Sequence, residues 1–229
     1  MTNLIPTRLF SFLLIFSIVI LGSCKKKEVE VPDASYIRFV NASPTFGTYN
    51  IYLDDKMLNS AAIPFGGTVS YSPFIFGKHT IKYTTASSNQ PVFTKEINLT
   101  GNQIHSLYLV DVGAKMDALL FIDNASVTST TKAFVKFINL SPDAPSLNLD
   151  IAGGANLFTN TNYKVGTQFV QVDPKTYTFN LTDFASGAIK TTLPDIEFVA
   201  GRYYTIIARG MINPGTNEQS FSAQSIINQ

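Results

Sequence analysis

The sequence predicts an all-β protein with two tandem antiparallel β-sandwich domains. Three observations support this prediction: short apolar segments alternate with period two, turn residues interrupt them often, and the same order of segments occurs twice. The chain has 229 residues, of which 45% are hydrophobic and only 14% are charged. This composition is typical of a folded chain and leaves enough length for two modest cores.

The N-terminal segment precedes the predicted fold. An apolar run of 13 residues, Leu9–Leu21, follows Arg8. It is shorter than the roughly 20 residues that span a bilayer, and it fits the apolar region of a secretory signal peptide at residues 1–23. The next residues are "LGSC", and Cys24 is the only cysteine of the chain.

The "LGSC" sequence resembles the lipobox of bacterial lipoproteins. This resemblance implies cleavage before Cys24, acylation of its thiol (palmitate is the expected chain), and anchoring of the protein in the cell outer membrane, facing the periplasm or the cell surface. The alternative is a plain secretory signal with an incidental cysteine. With Cys24 acylated, no thiol remains for a disulfide.

Residues 24–34 are predicted to form a lipidated tether. The stretch "KKKEVEVPD" (25–33) is charged, contains a proline and has no apolar period. Removal of residues 1–23 takes away one base, Arg8, from 17 Lys and Arg and leaves all 16 Asp and Glu, so the mature chain is neutral. Neither nucleic acid nor an electrostatic membrane patch is therefore expected as a partner.

An internal repeat defines the domains. Five blocks recur at an offset of 98 to 100 residues, beginning with "YIRFVNASP" (36–44) and "FVKFINLSP" (134–142). The predicted boundaries are a first sandwich at 35–127, a polar linker at 128–132 and a second sandwich at 133–229. Alternation predicts that the inward positions are Ile51, Leu53, Ile81, Tyr83, Leu149, Ile151, Phe179 and Leu181.

Turn chemistry and sequence motifs suggest a family. Pro142 suits the second position of a type I turn, and Asp143 suits the next one. The run Ser141–Pro145, together with "FGGTVSY" and "GRYYTIIARG", resembles the bacterial domain family DUF4397 over residues 35–229. The resemblance implies an Ig-like sandwich and a location in the cell envelope, and it assigns no catalytic residue.

No catalytic, metal or cofactor site is predicted. The two histidines, His79 and His105, align with Tyr177 and Tyr204 of the second repeat. Tyrosine replaces histidine well as an amphipathic strand residue but poorly as a base or a ligand. No HExxH motif, cysteine cluster or GxSxG motif occurs.

Aromatic residues supply the only candidate binding surface. Tyr71, Phe74 and Phe76 surround Pro73, and aromatic faces can stack on sugars or on protein partners. The alternative is that alternation places Phe74 and Phe76 in the core.

The sequence therefore favours a lipid-anchored envelope protein with a binding or structural role, as an adhesin-like or accessory module, rather than an enzyme. Its expected partners are the membrane, through Cys24, and an extracellular glycan or protein. Two alternatives remain. One is an envelope hydrolase, which a cluster of Asp54, Asp111 and His105 would favour. The other is an assembly factor that uses an exposed strand edge.

Overall fold

A computed structural model describes residues 34–124 and 128–228. Asp33–Gln229 form one compact unit. Cys24, the predicted signal peptide and the predicted tether before Ala34 lie outside the described residues. Within the described residues, no helix has the length and apolar character needed to cross a membrane.

The described chain is built from β-strands, with a short 3₁₀ turn at Gly113–Lys115. The sixteen strands are β1 (Ala34–Asn41), β2 (Tyr49–Leu53), β3 (Lys56–Met57), β4 (Thr68–Ile75), β5 (Gly77–Thr85), β6 (Pro91–Leu99), β7 (Ile104–Val110), β8 (Asp117–Ile122), β9 (Ala133–Asn139), β10 (Leu147–Ile151), β11 (Asn156–Thr161), β12 (Val170–Val172), β13 (Thr176–Asp183), β14 (Ile189–Glu197), β15 (Tyr203–Arg209) and β16 (Ser222–Ile227).

The strands form four sheets of four strands each. The first sandwich, β1–β8, contains the sheets β4-β1-β7-β8 and β3-β2-β5-β6. The second sandwich, β9–β16, contains the sheets β12-β9-β15-β16 and β11-β10-β13-β14, which follow the same strand order. The predicted all-β sandwich class is confirmed.

One feature of the pairing departs from the antiparallel prediction. β1 pairs with β7 in parallel, and β9 pairs with β15 in the same way, whereas the other pairs of named strands are antiparallel. A parallel neighbour needs a long crossover connection, and here five strands separate the two partners. Period-two alternation is the same for both pairing senses, so the sequence pattern could not reveal it.

Each sandwich encloses its own core, made by alternate residues of its two sheets. The predicted inward positions are buried in the first sandwich, and in the second only Ile151 is partly exposed while still packing against the core. Phe179 is fully buried, and its ring centre lies 5.6 Å from those of Tyr177 and Phe198.

A third apolar cluster joins the two sandwiches. It contains Val40, Tyr108, Ile138 and Ile207 at its centre. Their neighbours on the same strands, such as Phe39 and Phe137, point into the separate cores. The central strands β1, β7, β9 and β15 are therefore buried on both faces, which explains why their burial does not alternate.

The repeated Asn-x-Ser-Pro sequence closes one end of each central sheet. Asn41 Oδ1 accepts a hydrogen bond from Ser43 N, and Ser43 Oγ donates to Asp111 O at 2.6 Å. In the second sandwich Ser141 N donates to Asn139 Oδ1, and Ser141 Oγ donates to a backbone carbonyl at 2.7 Å. The repeated motif therefore connects the end of a strand to the neighbouring loop by hydrogen bonds.

Candidate functional site: the junction of the two sandwiches

The junction is the surface on which the sheets β4-β1-β7-β8 and β12-β9-β15-β16 face each other, and it contains a buried ion pair. Lys136 on β9 contacts Asp123, just after β8, and their side chains are only 4% and 1% exposed. Ser106 Oγ and Tyr71 Oη both donate to Asp123 Oδ2, the latter at 2.6 Å. Burial lowers the pKa of Lys136, and the charge of Asp123 opposes this change.

Arg38 on β1 is the second buried cation. Its Nε donates to Ser106 Oγ and its Nη1 donates to Ile227 O, both at 2.8 Å. The guanidinium also lies over the Tyr71 ring, 4.5 Å from the ring centre. Burial raises the pKa of Tyr71, as does the charge of Asp123, so the Tyr71 hydroxyl remains a hydrogen-bond donor.

The contacts across the junction are reciprocal. Arg38 and Lys136 occupy equivalent positions in the repeat. Arg38 donates to Ile227 O at the end of the second sandwich, and Lys136 Nζ donates to Ile122 O at the end of the first, at 3.3 Å. Residue-for-residue exchange of this kind is the mark of a two-fold symmetric interface, so the junction has an internal two-fold relationship.

The same symmetry relates the aromatic rings beside the two cations, and the polar residues that follow β8 and β16. Lys136 Nζ lies 4.9 Å from the centre of the Phe169 ring, as Arg38 lies over Tyr71. Asn228 takes the position of Asp123 and accepts a hydrogen bond from Thr205 Oγ1 at 2.8 Å. The symmetry is therefore broken in charge, since the junction contains two buried cations and one buried carboxylate.

Three of the openings in the described part of the chain lie beside this cluster. The central cleft, of about 190 Å³, is lined by Tyr71, Ile104, Asp123, Asn124, Thr128, Tyr203 and Asn228. Two grooves of about 390 Å³ each flank it. We call them the Arg38 groove, between β4 and β16, and the Lys136 groove, between β8 and the segment that leads into β12.

The two grooves are related by the internal two-fold. The Arg38 groove is lined by Arg38, Thr68, Val69, Ser70, Tyr71, Gln224, Ser225, Ile226 and Ile227. The Lys136 groove is lined by Lys136, Gly166, Thr167, Gln168, Phe169, Leu120, Phe121, Ile122, Asn124 and Ile138. Most members of one set have an equivalent in the other, so the two grooves differ mainly in their polar groups.

Some buried polar atoms beside the openings have no hydrogen-bond partner among the described residues. They include Arg38 Nη2, Gln224 Oε1 and Asn228 Nδ2. Buried polar groups in native proteins are usually paired, and each exception needs an explanation. Two of these atoms belong to residues of the Arg38 groove, and the third belongs to a residue of the central cleft.

The structure separates the three aromatic candidates. Tyr71 lines both the central cleft and the Arg38 groove. Phe74 packs against the core of the first sandwich and meets His79 edge to face, with 6.3 Å between ring centres. Phe76 follows β4 and is 51% exposed, away from the openings described above. Cys24 lies outside the described residues.

The structure brings Asp54 together with His79 rather than with Asp111 and His105. His79 Nδ1 lies 2.5 Å from Asp54 Oδ2, and its Nε2 lies 2.7 Å from Ile75 O, so both ring nitrogens are engaged. Asp111 contacts Lys164 Nζ at 3.2 Å. His105 is buried, and this burial lowers its pKa despite opposing hydrogen bonds.

The described residues contain no group of three or more His, Cys, Asp or Glu side chains that could hold a metal ion. Of the residues that form the junction, Tyr71 was among the candidates predicted from the sequence, whereas Arg38, Asp123 and Lys136 were not. Their signal was a basic residue, Arg38 or Lys136, at the same place in two otherwise apolar strands.

Comparison with known proteins identifies a family that matches this chain. The family described as "Domain of unknown function (DUF4397)" matches residues 35–150, which cover the first sandwich and reach into β10. No curated protein sequence matches the chain. A solved structure described as "Alpha-glucan binding by a streptococcal virulence factor" covers 76% of this chain and 92% of that chain, at 11% identity and a TM-score of 0.25. A likeness at that score supports no conclusion about fold or ligand.

Proposed function

Since the chain belongs to the family described as "Domain of unknown function (DUF4397)", whose description names no activity, we propose its function from the geometry of the junction. The protein is a non-catalytic binding module of the cell envelope, and its ligand occupies the two openings that Tyr71 lines, the central cleft and the Arg38 groove. An extracellular glycan or protein is the partner class.

The observation that supports binding is the state of the polar groups around the central cleft. The carboxylate of Asp123 is already held by Lys136, Ser106 and Tyr71. A general base needs a group that is free to accept a proton at the operating pH. The remaining cleft walls offer amide, hydroxyl and aromatic groups, which suit recognition of a polar ligand.

The proposal also includes two tandem copies of the domain and a lipid anchor. The identical strand order of the two sandwiches supports the duplication, although the family match extends past the first sandwich to residue 150. The apolar run before "LGSC" supports acylation of Cys24 and placement in the outer membrane. Stable anchoring requires two membrane signals, such as two acyl chains.

A ligand screen that compares the wild-type protein with variants lacking one tyrosine hydroxyl tests the binding proposal. The wild-type chain is screened against glycans, matrix proteins and hydrolase substrates, and Tyr71→Phe is compared with Tyr52→Phe. Both variants lose one phenolic oxygen, but Tyr52 lies on β2, outside the junction. A ligand should lose affinity with Tyr71→Phe only. Turnover of a substrate that disappears when His79 and His105 are both replaced by alanine would refute the non-catalytic assignment.

Metabolic labelling tests the anchor. Cys24→Ala should abolish incorporation of a fatty-acid analogue and leave a precursor or a released soluble form, because the thiol is the proposed attachment point. Protease treatment of whole cells that express the wild-type protein then distinguishes surface display from a periplasmic orientation. Label retained on Cys24→Ala would refute the lipoprotein assignment.

A further inference from the structure

We propose that the Arg38 groove binds a small hydroxylated carboxylate, such as a sugar acid. Both Arg38 Nη2 and Gln224 Oε1 are covered by protein in the groove, so binding includes a small movement of these side chains, after which Arg38 Nη2 donates to the carboxylate and Gln224 Oε1 accepts from a neighbouring hydroxyl. This inference rests on the proposed function, since it specifies the ligand class for one opening of the junction.

The first support is an unbalanced charge. Arg38 is only 5% exposed and forms no ion pair with any carboxylate in the described residues. The nearby Asp123 is paired directly with Lys136. Two buried cations and one buried anion leave one positive charge in excess, and a buried charge without a counter-ion is unfavourable. An anion in the groove beside Arg38 would complete the cluster.

The second support is a complementary pair of unsatisfied atoms. Arg38 Nη2 is a donor without a partner, and Gln224 Oε1 is an acceptor without one. Gln224 Nε2 donates to Gly66 O at 3.0 Å, which fixes the orientation of the amide. A ligand that satisfies both atoms must carry an anionic acceptor and a hydroxyl or amine donor.

The lining of the groove favours a hydroxyl-bearing ligand. Thr68, Ser70 and Ser225 contribute hydroxyl groups, and Tyr71 contributes an aromatic ring. Such a mixture of short hydroxyls and one ring suits a polyhydroxylated compound. The volume of about 390 Å³ lies in the range of small-molecule sites.

The Lys136 groove provides an internal control. It has the same volume of about 390 Å³, but its cation is neutralised by Asp123. None of its lining residues carries a buried polar atom without a partner. The proposal therefore assigns the ligand to one groove of a symmetric pair.

Equilibrium dialysis of the full chain in detergent, with labelled glucuronate as the probe and glucose as the neutral comparison, tests the assignment. Ser70→Tyr fills the Arg38 groove at an exposed position, and Gln168→Tyr makes the matched change in the Lys136 groove. Arg38→Gln removes the charge, and its melting curve shows whether the fold survives.

Glucuronate should bind at one site per chain, and glucose should bind far more weakly. Arg38→Gln should weaken binding about tenfold or more, the order expected for the loss of one charge-assisted hydrogen bond. Ser70→Tyr should weaken binding at least as much, because the larger side chain occupies the space of the ligand. Gln168→Tyr should leave the affinity unchanged. If Arg38→Gln unfolds, the Ser70→Tyr and Gln168→Tyr comparison still decides the outcome.

Three results would overturn the assignment: no glucuronate binding, binding that survives Ser70→Tyr, or competition by sulfate as strong as by glucuronate. If a Tyr71-sensitive ligand emerges from the general screen while glucuronate fails, only this inference is wrong. If no ligand in that screen responds to Tyr71→Phe, the proposed function itself is wrong.

Discussion

Replacement of Lys136 by methionine should destabilise the protein by about 3–5 kcal/mol. The substitution keeps most of the side-chain volume but leaves the Asp123 carboxylate without its cation, where only 1% of that side chain is exposed. Breaking a buried pair by removing one partner has a cost of about this size. The free energy of unfolding is measured by urea denaturation, and a two-state analysis is applied where far-UV circular dichroism and tyrosine fluorescence give coincident transitions.

The second sandwich suggests the compensating change. Asn228 stands where the first sandwich has Asp123 and is held by Thr205. The double variant Lys136→Met with Asp123→Asn should therefore lose only about 1–2 kcal/mol, because it removes both members of the ion pair together and leaves at most one or two hydrogen bonds unmade. The coupling between the two changes should then reach about 2 kcal/mol or more.

A partly exposed ion pair supplies the control. Lys95 Nζ lies 2.7 Å from Asp117 Oδ1, and the two side chains are 40% and 28% exposed. Lys95→Met should cost less than about 1 kcal/mol, since solvent screens such pairs. Equal losses for Lys95→Met and Lys136→Met, or additive losses in the double variant, would refute the assignment of a buried, coupled charge at the junction.

Three further outcomes are expected. Phe179→Ala should lower the free energy of unfolding by about 3–5 kcal/mol, whereas the exposed Phe76→Ala should change it by less than about 0.5 kcal/mol in the same urea titration. Limited proteolysis should cut the exposed linker at 128–132, and the two fragments should still co-elute in native size-exclusion chromatography because the junction holds them together; separate elution would contradict this. A hydrogen bond from Thr80 N lowers the pKa of Asp54. The ionised Asp54 carboxylate therefore stabilises the folded state fully above the ordinary aspartate pKa, and this stabilisation is lost as pH falls through the lowered pKa. Asp54→Asn should flatten the acid side of a stability–pH curve, and an unchanged curve would refute the contribution.

Local patterns predicted the sandwich interiors well. Residues such as Ile81 and Leu149 alternate with polar neighbours, and each such residue is buried where the period places it. Ile151 is the exception, since it lies at the end of β10, next to a turn, where the core is incomplete. Alternation therefore predicts faces reliably in the middle of a strand and less well at its end.

The pairing of distant strands was harder to predict from the sequence. Alternation shows which side chains share a face but not which strand lies beside another, so the parallel β1–β7 pair could not be deduced. The same limit applies to the junction. β1 contains the apolar residues expected for burial on two faces, but alternation only places Arg38 on the face opposite to Ile37 and Phe39 and does not show that a second sheet covers that face.

Part of the candidate binding site could nevertheless be predicted from the sequence. Tyr71 belongs to a block that repeats in the second half, where Phe169 takes its place, and both rings lie against a basic side chain at the junction. Phe74 and Phe76 were grouped with Tyr71 because they are close in sequence. The structure separates them, since Phe74 packs against the core of the first sandwich and Phe76 lies beyond the end of β4.

The covalent link between the two sandwiches has a thermodynamic consequence for the junction. A short linker such as 128–132 converts association of the halves into an intramolecular step, with an effective concentration of about millimolar or higher. Two free subunits would have to overcome the loss of translational and rotational freedom before gaining any contact. The fused chain is spared that loss, so its junction can retain an excess charge at Arg38 and unpaired polar atoms that would weaken a dimer of separate subunits.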